Sequence, residues 1–192
     1  MALSRVAGWG CVLVVAAAPV RASAQSAQPW SLQASFLEAS QKVGGQLISG
    51  GGFEGQLRYS PGVWSFGLGY QYSTHKSSSG QTKINISGVF LEPRYAIDIG
   101  SDRVAPYLAG RLAYLHQSTT LDIGSVSSSG SAFGAGGGVI IRASSTVNVD
   151  IGAAFIRQSF SDAETDNAQT VTFPAFTGYV AKVGLSIGFG HR

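Results

Sequence analysis

Two neighbouring segments with strictly alternating side chains constrain the fold of this chain most strongly. In residues 53–59 apolar or small residues alternate with Glu54, Gln56 and Arg58, and in residues 64–72 aromatic and leucine residues alternate with serine, glycine and glutamine. The intervening Ser60-Pro61-Gly62 has the proline and glycine that a tight turn prefers. The pair predicts a β-hairpin with one wholly apolar face. Because the opposite face is too polar and too small for a soluble core, lipid is the natural cover for the apolar one.

Segments with the same period of two recur along the rest of the chain. The predicted strands are residues 30–40, 53–59, 64–72, 83–97, 104–118, 131–142, 147–155 and 178–189. After residue 24 no stretch approaches the roughly 20 apolar residues of a membrane helix. Strands cross lipid only in a closed barrel, because every backbone polar group must be hydrogen-bonded. The sequence therefore predicts an all-β fold, an eight-stranded antiparallel up-and-down transmembrane β-barrel.

The predicted connections alternate in length. Residues 60–62, 98–102 and 143–145 form short turns, whereas residues 44–52, 74–81, 119–130 and 158–172 are longer, polar loops. This pattern is typical of a transmembrane barrel with short periplasmic turns, long external loops and both termini in the periplasm. In the fourth strand Ile84 and Ile86 fall out of phase with the lipid-facing positions, so we expect a bulge near Gly88.

The N-terminus has the features of a cleaved signal peptide. Arg5 precedes an apolar stretch, residues 6–19, and Ala22-Ser23-Ala24 supplies small residues for cleavage after Ala24. Residues 1–24 are thus predicted to be removed, which leaves 25–192 as one barrel domain. Cys11 leaves with the signal, so the mature chain has no thiol for a disulfide, a thiolate metal site or a cysteine nucleophile.

Composition agrees with a membrane barrel. Charged residues make up 12% of the chain, and 26 of its 192 residues are glycine. The first value is about half, and the second about twice, the share in ordinary soluble domains. Removal of Arg5 and Arg21 leaves a nearly neutral chain with scattered charges, which gives no electrostatic footprint for nucleic acid.

Three segments resemble a known family. They are GVFLEPRY from Gly88 to Tyr95, APYL from Ala105 to Leu108, and the closing VGLSIGF from Val183 to Phe189. They resemble bacterial outer-membrane β-barrel domain proteins, which include outer membrane proteins A and X and the opacity-type adhesins. The resemblance implies contact with outer-membrane lipid and lipopolysaccharide, insertion by the barrel-assembly machinery, and a role as adhesin, envelope anchor or small channel.

Terminal strands in that family usually end on an aromatic residue that the assembly machinery recognises. The corresponding residues here are Val183, Leu185, Ile187 and Phe189. The chain departs from the pattern by continuing for three residues, 190–192.

Seven charged residues fall on the predicted inner face. We call them the lumenal charge network: Glu54, Arg58, Glu92, Arg94, Arg111, Asp150 and Lys182. The interior of an eight-stranded barrel is wide enough only for side chains, so opposite charges should pair across it. Unpaired, each would cost several kcal/mol. The favoured interpretation is a polar plug, and the alternatives are a narrow ion path or a catalytic group.

Aromatic residues cluster near the predicted strand ends, as expected of the rings that flank the apolar band of a barrel. The predicted interfacial aromatics are Trp30, Tyr59, Trp64, Tyr72, Tyr95, Tyr107, Tyr114 and Tyr179.

Signals for chemistry are weak. His116 and Ser118 have the spacing of the histidine and serine of lipid A deacylases, but serine hydrolysis also needs a carboxylate and oxyanion donors, and Asp122 is the only acid nearby. The glycines of residues 134–138 lack the spacing and the lysine of a phosphate loop. The three histidines are far apart in sequence, so we expect no metal site and no cofactor.

We therefore expect a non-enzymatic, monomeric envelope protein with a structural or adhesin-like role, whose external loops can contact surface ligands. The alternatives are a lipid A-modifying hydrolase and a small channel. A soluble, lipocalin-like periplasmic barrel would show the same alternation with its faces inverted.

Overall fold

The computed structural model describes residues 28–43, 46–76, 83–121, 124–164, 170–171 and 175–190. Eight long strands form one closed antiparallel barrel in which sequence neighbours pair and the last strand pairs with the first. These strands are β1 (Trp30–Val43), β2 (Gln46–Tyr59), β3 (Trp64–Lys76), β4 (Lys83–Ala96), β5 (Val104–Leu121), β6 (Gly124–Arg142), β7 (Val147–Phe160) and β10 (Phe176–Phe189). Two short strands, β8 (Ala163–Glu164) and β9 (Thr170–Val171), pair with each other outside the barrel sheet and come between β7 and β10 in the sequence. The predicted fold class is confirmed.

No helix in the part of the chain that the structure describes is long and apolar enough to cross a membrane. The predicted signal peptide and its cleavage position fall within residues 1–27 and lie outside the described residues.

The barrel has two different ends. Short turns after β2, β4 and β6 lie at one end, which we call the turn end; the opposite end, which carries the connections after β1, β3, β5 and β7, is the hairpin end. Much of what the sequence predicted as loop at the hairpin end is paired strand. Ala39 pairs with Gly50 in the predicted glycine-rich connection, and Ser118 pairs with Ser127 in the predicted serine-rich loop. These loop predictions were wrong, because continued ladder pairing outweighs the turn preference of glycine and serine.

The outer surface is apolar and the inner face is polar. Phe36, Leu32 and Tyr114 are 76%, 60% and 62% exposed, whereas Gln33, Glu54 and Arg94 are each 2% exposed. A soluble ligand-binding barrel would have the opposite arrangement. The exposed apolar wall therefore requires lipid as its surroundings.

Strand β4 has no bulge. Its pairing with β3 runs without interruption from Trp64 and Tyr95 to Lys76 and Lys83, so the expected bulge near Gly88 was wrong. Ile84 and Ile86 simply point inward. There they join a buried cluster that we call the apolar layer, which comprises Ile84, Ile86, Leu115, Ala132, Ile156 and Phe160. The lumen thus has two parts, one charged and one in which the apolar layer lies among uncharged polar residues such as Gln117 and Gln158.

Candidate functional site in the barrel lumen

The structure brings the whole lumenal charge network together. Its members come from five strands and face inward because side chains alternate between the two faces of a strand. They are Glu54 and Arg58 on β2, Glu92 and Arg94 on β4, Arg111 on β5, Asp150 on β7, and Lys182 on β10. Every one of them takes part in at least one ion pair.

Glu92 lies at the centre of the network. Its carboxylate accepts hydrogen bonds from Arg58 Nη2 at 2.9 Å, Arg94 Nε at 2.8 Å and Lys182 Nζ at 2.9 Å. Arg111 Nη1 lies 3.7 Å from the same carboxylate. Glu92 is therefore surrounded by all four cations of the network, which is the arrangement that offsets the cost of removing a carboxylate from water.

Two further carboxylates complete the network. Glu54 pairs with Arg111 and accepts a hydrogen bond from Lys182 Nζ at 3.2 Å. Asp150 accepts hydrogen bonds from Arg94 Nη2 at 2.7 Å, Gln33 Nε2 at 2.5 Å and Tyr107 OH at 2.7 Å. Charge-assisted hydrogen bonds of this kind are about twice as strong as neutral ones.

The network holds four cations against three carboxylates. Neutral groups stabilise the excess positive charge. Arg58 donates to Gln56 Oε1 at 2.8 Å and to Ser65 Oγ at 2.9 Å. The Arg111 guanidinium lies 3.7 Å from the centre of the Phe90 ring, a cation–π contact.

Tyr107 was predicted as an interfacial ring, and that prediction was wrong. Its side chain is 3% exposed and lies inside the barrel, where the Arg94 guanidinium is 4.2 Å from its ring centre. The neighbouring Leu108 is 59% exposed on the lipid face, so strict alternation along β5 assigns Tyr107 to the lumen. Gln33, the other neutral partner of Asp150, was missed because an inward glutamine carries no distinctive sequence signal.

The glycine run of residues 134–138 lies in β6 and gives Tyr107 its space. A Cβ atom added at Gly138 would lie 2.6 Å from the Tyr107 hydroxyl oxygen. The other glycines of the run would clash with neighbouring strands, Gly134 and Gly136 with β7 and Gly137 with the Tyr107 backbone, so close packing within the barrel accounts for the run.

The apolar layer lies on the hairpin-end side of the charge network. Between the two is a cavity of about 20 Å³ bordered by Arg111, Ile86, Leu115 and His75. This volume has room for about one water molecule. The described side chains therefore fill the lumen at two successive levels, first with ion pairs and then with the apolar layer together with buried polar residues such as His75, Gln117 and Gln158.

The remaining predicted interfacial aromatics lie on the outer surface in two belts, one near each end of the barrel. Trp30 packs against Tyr59, and Trp64 against Tyr95, at the turn end, with ring centres 4.7 and 5.1 Å apart. Phe53 packs against Tyr72, and Phe155 against Tyr179, nearer the hairpin end, and Tyr114 is exposed at that end.

The residues predicted to form the assembly signal alternate on the lipid face of β10. Each is about half exposed; they are Val183, Leu185, Ile187 and Phe189.

His116 has a different neighbour from the one its spacing suggested. Its Nδ1 lies 3.2 Å from Ser129 Oγ on β6, not from Ser118. No described carboxylate contacts His116, and Asp122 lies outside the described residues. Within the part of the chain that the structure describes, the arrangement lacks the acid that a serine hydrolase uses to orient its histidine. The described residues also contain no group of three or more His, Cys, Asp or Glu arranged to hold a metal ion.

Comparison with known proteins gives one family and several structural neighbours. The family model described as outer membrane protein beta-barrel domain matches residues 10–189. No curated protein matches. Among solved structures, Neisserial surface protein A is similar at a TM-score of 0.70 and 18% identity, over 84% of this chain and 97% of that one.

Two further solved structures have the same fold at lower similarity. The attachment invasion locus protein Ail of Yersinia pestis has a TM-score of 0.51 and 14% identity, over 82% of this chain and 97% of its own. The N-terminal β-barrel domain of OprF from Pseudomonas aeruginosa has a TM-score of 0.51 and 13% identity, over 84% of this chain and 98% of that domain. At these identities the likeness concerns the fold alone.

Proposed function

The chain belongs to the outer membrane protein beta-barrel domain family and resides in the bacterial outer membrane, and from that premise we propose that it is a non-enzymatic envelope protein. It acts through its outer surface and its hairpin end, either in envelope structure or in contact with other surfaces. Its lumen carries no solute.

The filled lumen is the observation that carries this proposal. A solute would have to separate Glu92 from cations 2.8 to 2.9 Å away and then cross the apolar layer around Ile86 and Leu115. Removing one member of a buried charge pair costs about 3–5 kcal/mol, because its partner is left uncompensated. The apolar layer and the buried polar side chains beside it fill a second level and so add a steric barrier. These barriers favour a plug over a channel.

The hairpin end is proposed to face outward. In outer-membrane barrels the longer connections are extracellular and the short turns periplasmic. Strand β5 continues from Tyr114 to Leu121, so at about 3.3 Å per residue it extends roughly 20 Å beyond the aromatic belt nearer the hairpin end. Its pairing with β6 makes a projecting hairpin with serines at 127, 128 and 129. A paired, polar projection of this kind suits contact with other surfaces.

Single-channel recording tests the plug directly. Full-length protein refolded into a planar bilayer is expected to insert without current steps. Regular steps of constant size would contradict the proposal and favour the small channel.

A second experiment separates the envelope role from hydrolysis. Cells with and without the gene are expected to contain identical lipid A by mass spectrometry, whereas loss of an acyl chain in the presence of the gene would favour a hydrolase. Adhesion to epithelial cells and uptake of a hydrophobic dye, measured on the same strains, distinguish a surface-contact role from a structural one.

A further inference from the structure

Two lysines face each other at the hairpin end of the outer wall. Lys76 on β3 and Lys83 on β4 are direct cross-strand partners, and both are exposed on the lipid-facing side of the sheet. Like charges directly opposite each other on a sheet destabilise it. Between the aromatic belt nearer the hairpin end and that end itself, the outward face of β3 to β6 carries no carboxylate among the residues whose side chains are described. Among the described side chains, the pair therefore has no counter-charge on its own wall.

A strip of polar side chains lies just below the lysines, toward the membrane. Thr74 Oγ1 donates to Asn85 Oδ1 at 2.9 Å, and Tyr72 OH donates to the same oxygen at 3.3 Å. The strip continues across β5 and β6 through the hydrogen-bonded His116 and Ser129. Hydroxyl, amide and imidazole groups at this level suit a sugar headgroup.

An apolar groove lies below the polar strip on the same four strands. It has a volume of about 440 Å³ and is lined by Leu68, Val89, Leu91, Leu112, Tyr114 and Phe133. Ser131 also borders it. Arg157, exposed on β7, pairs with Phe133 and so brings a third cation to the far edge of the groove. From the hairpin end downward, the wall thus presents the lysine pair, then polar groups, then hydrocarbon in the order of an amphiphile, with Arg157 beside the groove.

Charge distinguishes this wall from the opposite one. A second outward groove, of about 660 Å³, includes Ala34, Phe36, Phe53 and Val183. Glu38 lies two residues beyond Phe36 on the same face of β1 and is exposed. Its carboxylate repels anions. Apolar volume alone would favour the larger groove, but only the β3 to β6 wall combines a groove with neighbouring cations among the described side chains.

We propose that the β3 to β6 wall is a binding site for a phosphorylated glycolipid of the outer leaflet. Lys76 and Lys83 hold a phosphate, Thr74, Asn85 and Ser129 face the sugars, and the groove takes acyl chain. The occupant is a membrane lipid and not a soluble polyanion, because the lysines stand on the side wall in line with an apolar groove. The inference rests on the proposed outward orientation of the hairpin end, but not on the plugged lumen.

The test is titration of the full-length protein in detergent micelles, with bound lipid counted by native mass spectrometry. The probes are bisphosphorylated lipid A, the same lipid with both phosphates removed, and inorganic phosphate. We expect the wild type to bind the phosphorylated lipid and to bind the dephosphorylated one at least tenfold more weakly. Each basic residue near a lipid surface contributes about fivefold in affinity, so the double variant K76Q/K83Q should bind about 30-fold more weakly, and R157Q about fivefold.

The matched control is Arg103→Gln, which removes an exposed cation at the turn end and should leave binding unchanged. Folding of every variant is read from the mobility difference between heated and unheated samples. Equal binding of the two lipids by the wild type would overturn the proposal even if the double variant failed to fold. So would displacement of the lipid by inorganic phosphate at equal concentration, which indicates a soluble-anion site. Because the assay is in micelles, its failure leaves the single-channel result untouched.

Discussion

Lys182 Nζ lies 2.9 Å from Glu92 Oε2 across the lumen, although the two residues are 90 positions apart in sequence. Their strands, β10 and β4, are not neighbours in the barrel. Lys182 also reaches Glu54 on β2, so one ammonium group ties three strands together. Such side-chain links cross-brace a barrel whose backbone hydrogen bonds join only neighbouring strands.

Replacing Glu92 by glutamine should destabilise the barrel by about 3–5 kcal/mol, because four cations would lose their central carboxylate. Equilibrium unfolding in urea with the protein in lipid vesicles, followed by the heat-dependent mobility shift, measures the change. Glu38→Gln is the matched control, since Glu38 is exposed on the outer surface, and it should change stability by no more than about 0.5 kcal/mol. Equal effects of the two substitutions would refute the bracing role.

Tyr107→Phe should cost about 1–3 kcal/mol, because it removes the hydroxyl that donates to the buried Asp150 at 2.7 Å. The ring, and with it the contact with Arg94, is retained. Tyr114→Phe removes the same hydroxyl from an exposed position and serves as the control. If both variants unfold at the same urea concentration, the hydrogen bond to Asp150 does not contribute to stability.

Strict alternation of side chains explains how much of this barrel could be predicted from sequence. It identified the eight strands and all seven charged lumenal residues, since a lipid-facing charge is costly near the middle of the membrane. Alternation also places Ile84 and Ile86 inward, and the expected bulge was wrong because an apolar side chain looks the same in sequence whether lipid or the lumen covers it. At Tyr107 alternation along β5 was right, and the error came from assigning its aromatic ring to the membrane interface.

The ends of the strands were less predictable for a different reason. Glycine and serine at 50–52 and 125–131 have turn preferences, but in these hairpins the partner strand continues and supplies backbone hydrogen bonds. Pairing between two segments depends on both of them and is absent from either one alone. The pairing partners of the lumenal charges could not be predicted from sequence for the same reason, since Glu92 and Lys182 meet only after the barrel closes.

Ile86→Ala should cost about 2–5 kcal/mol, because Ile86 is 1% exposed within the apolar layer and its truncation leaves a cavity beside the existing one. Val89→Ala, on the lipid face of the same strand, is the control and should cost much less, since lipid can fill the vacated space. Conductance of the Ile86→Ala variant in a planar bilayer should stay zero while the charge network is intact. Current steps in this variant would show that the apolar layer alone closes the lumen.

Phe189→Ala should lower the amount of protein in the outer membrane several-fold without preventing folding in vitro. Phe189 ends the terminal strand β10, and it is 46% exposed on the lipid face, where it pairs with Trp30. Its side chain is thus available to the assembly machinery while it makes few buried contacts that stability would require. Immunoblots of fractionated membranes measure assembly, and refolding into vesicles of the purified variant measures intrinsic folding.

Phe155→Ala is the control for that experiment, because Phe155 is an equally exposed aromatic residue on the lipid face of an internal strand, β7. If recognition of the terminal strand matters, only Phe189→Ala should reduce the outer-membrane level, while both variants refold in vesicles. An equal loss from both would indicate that aromatic residues of the lipid face act through stability alone. A normal outer-membrane level of Phe189→Ala would instead place the assembly signal elsewhere in the strand, for which Val183, Leu185 and Ile187 are the next positions to replace.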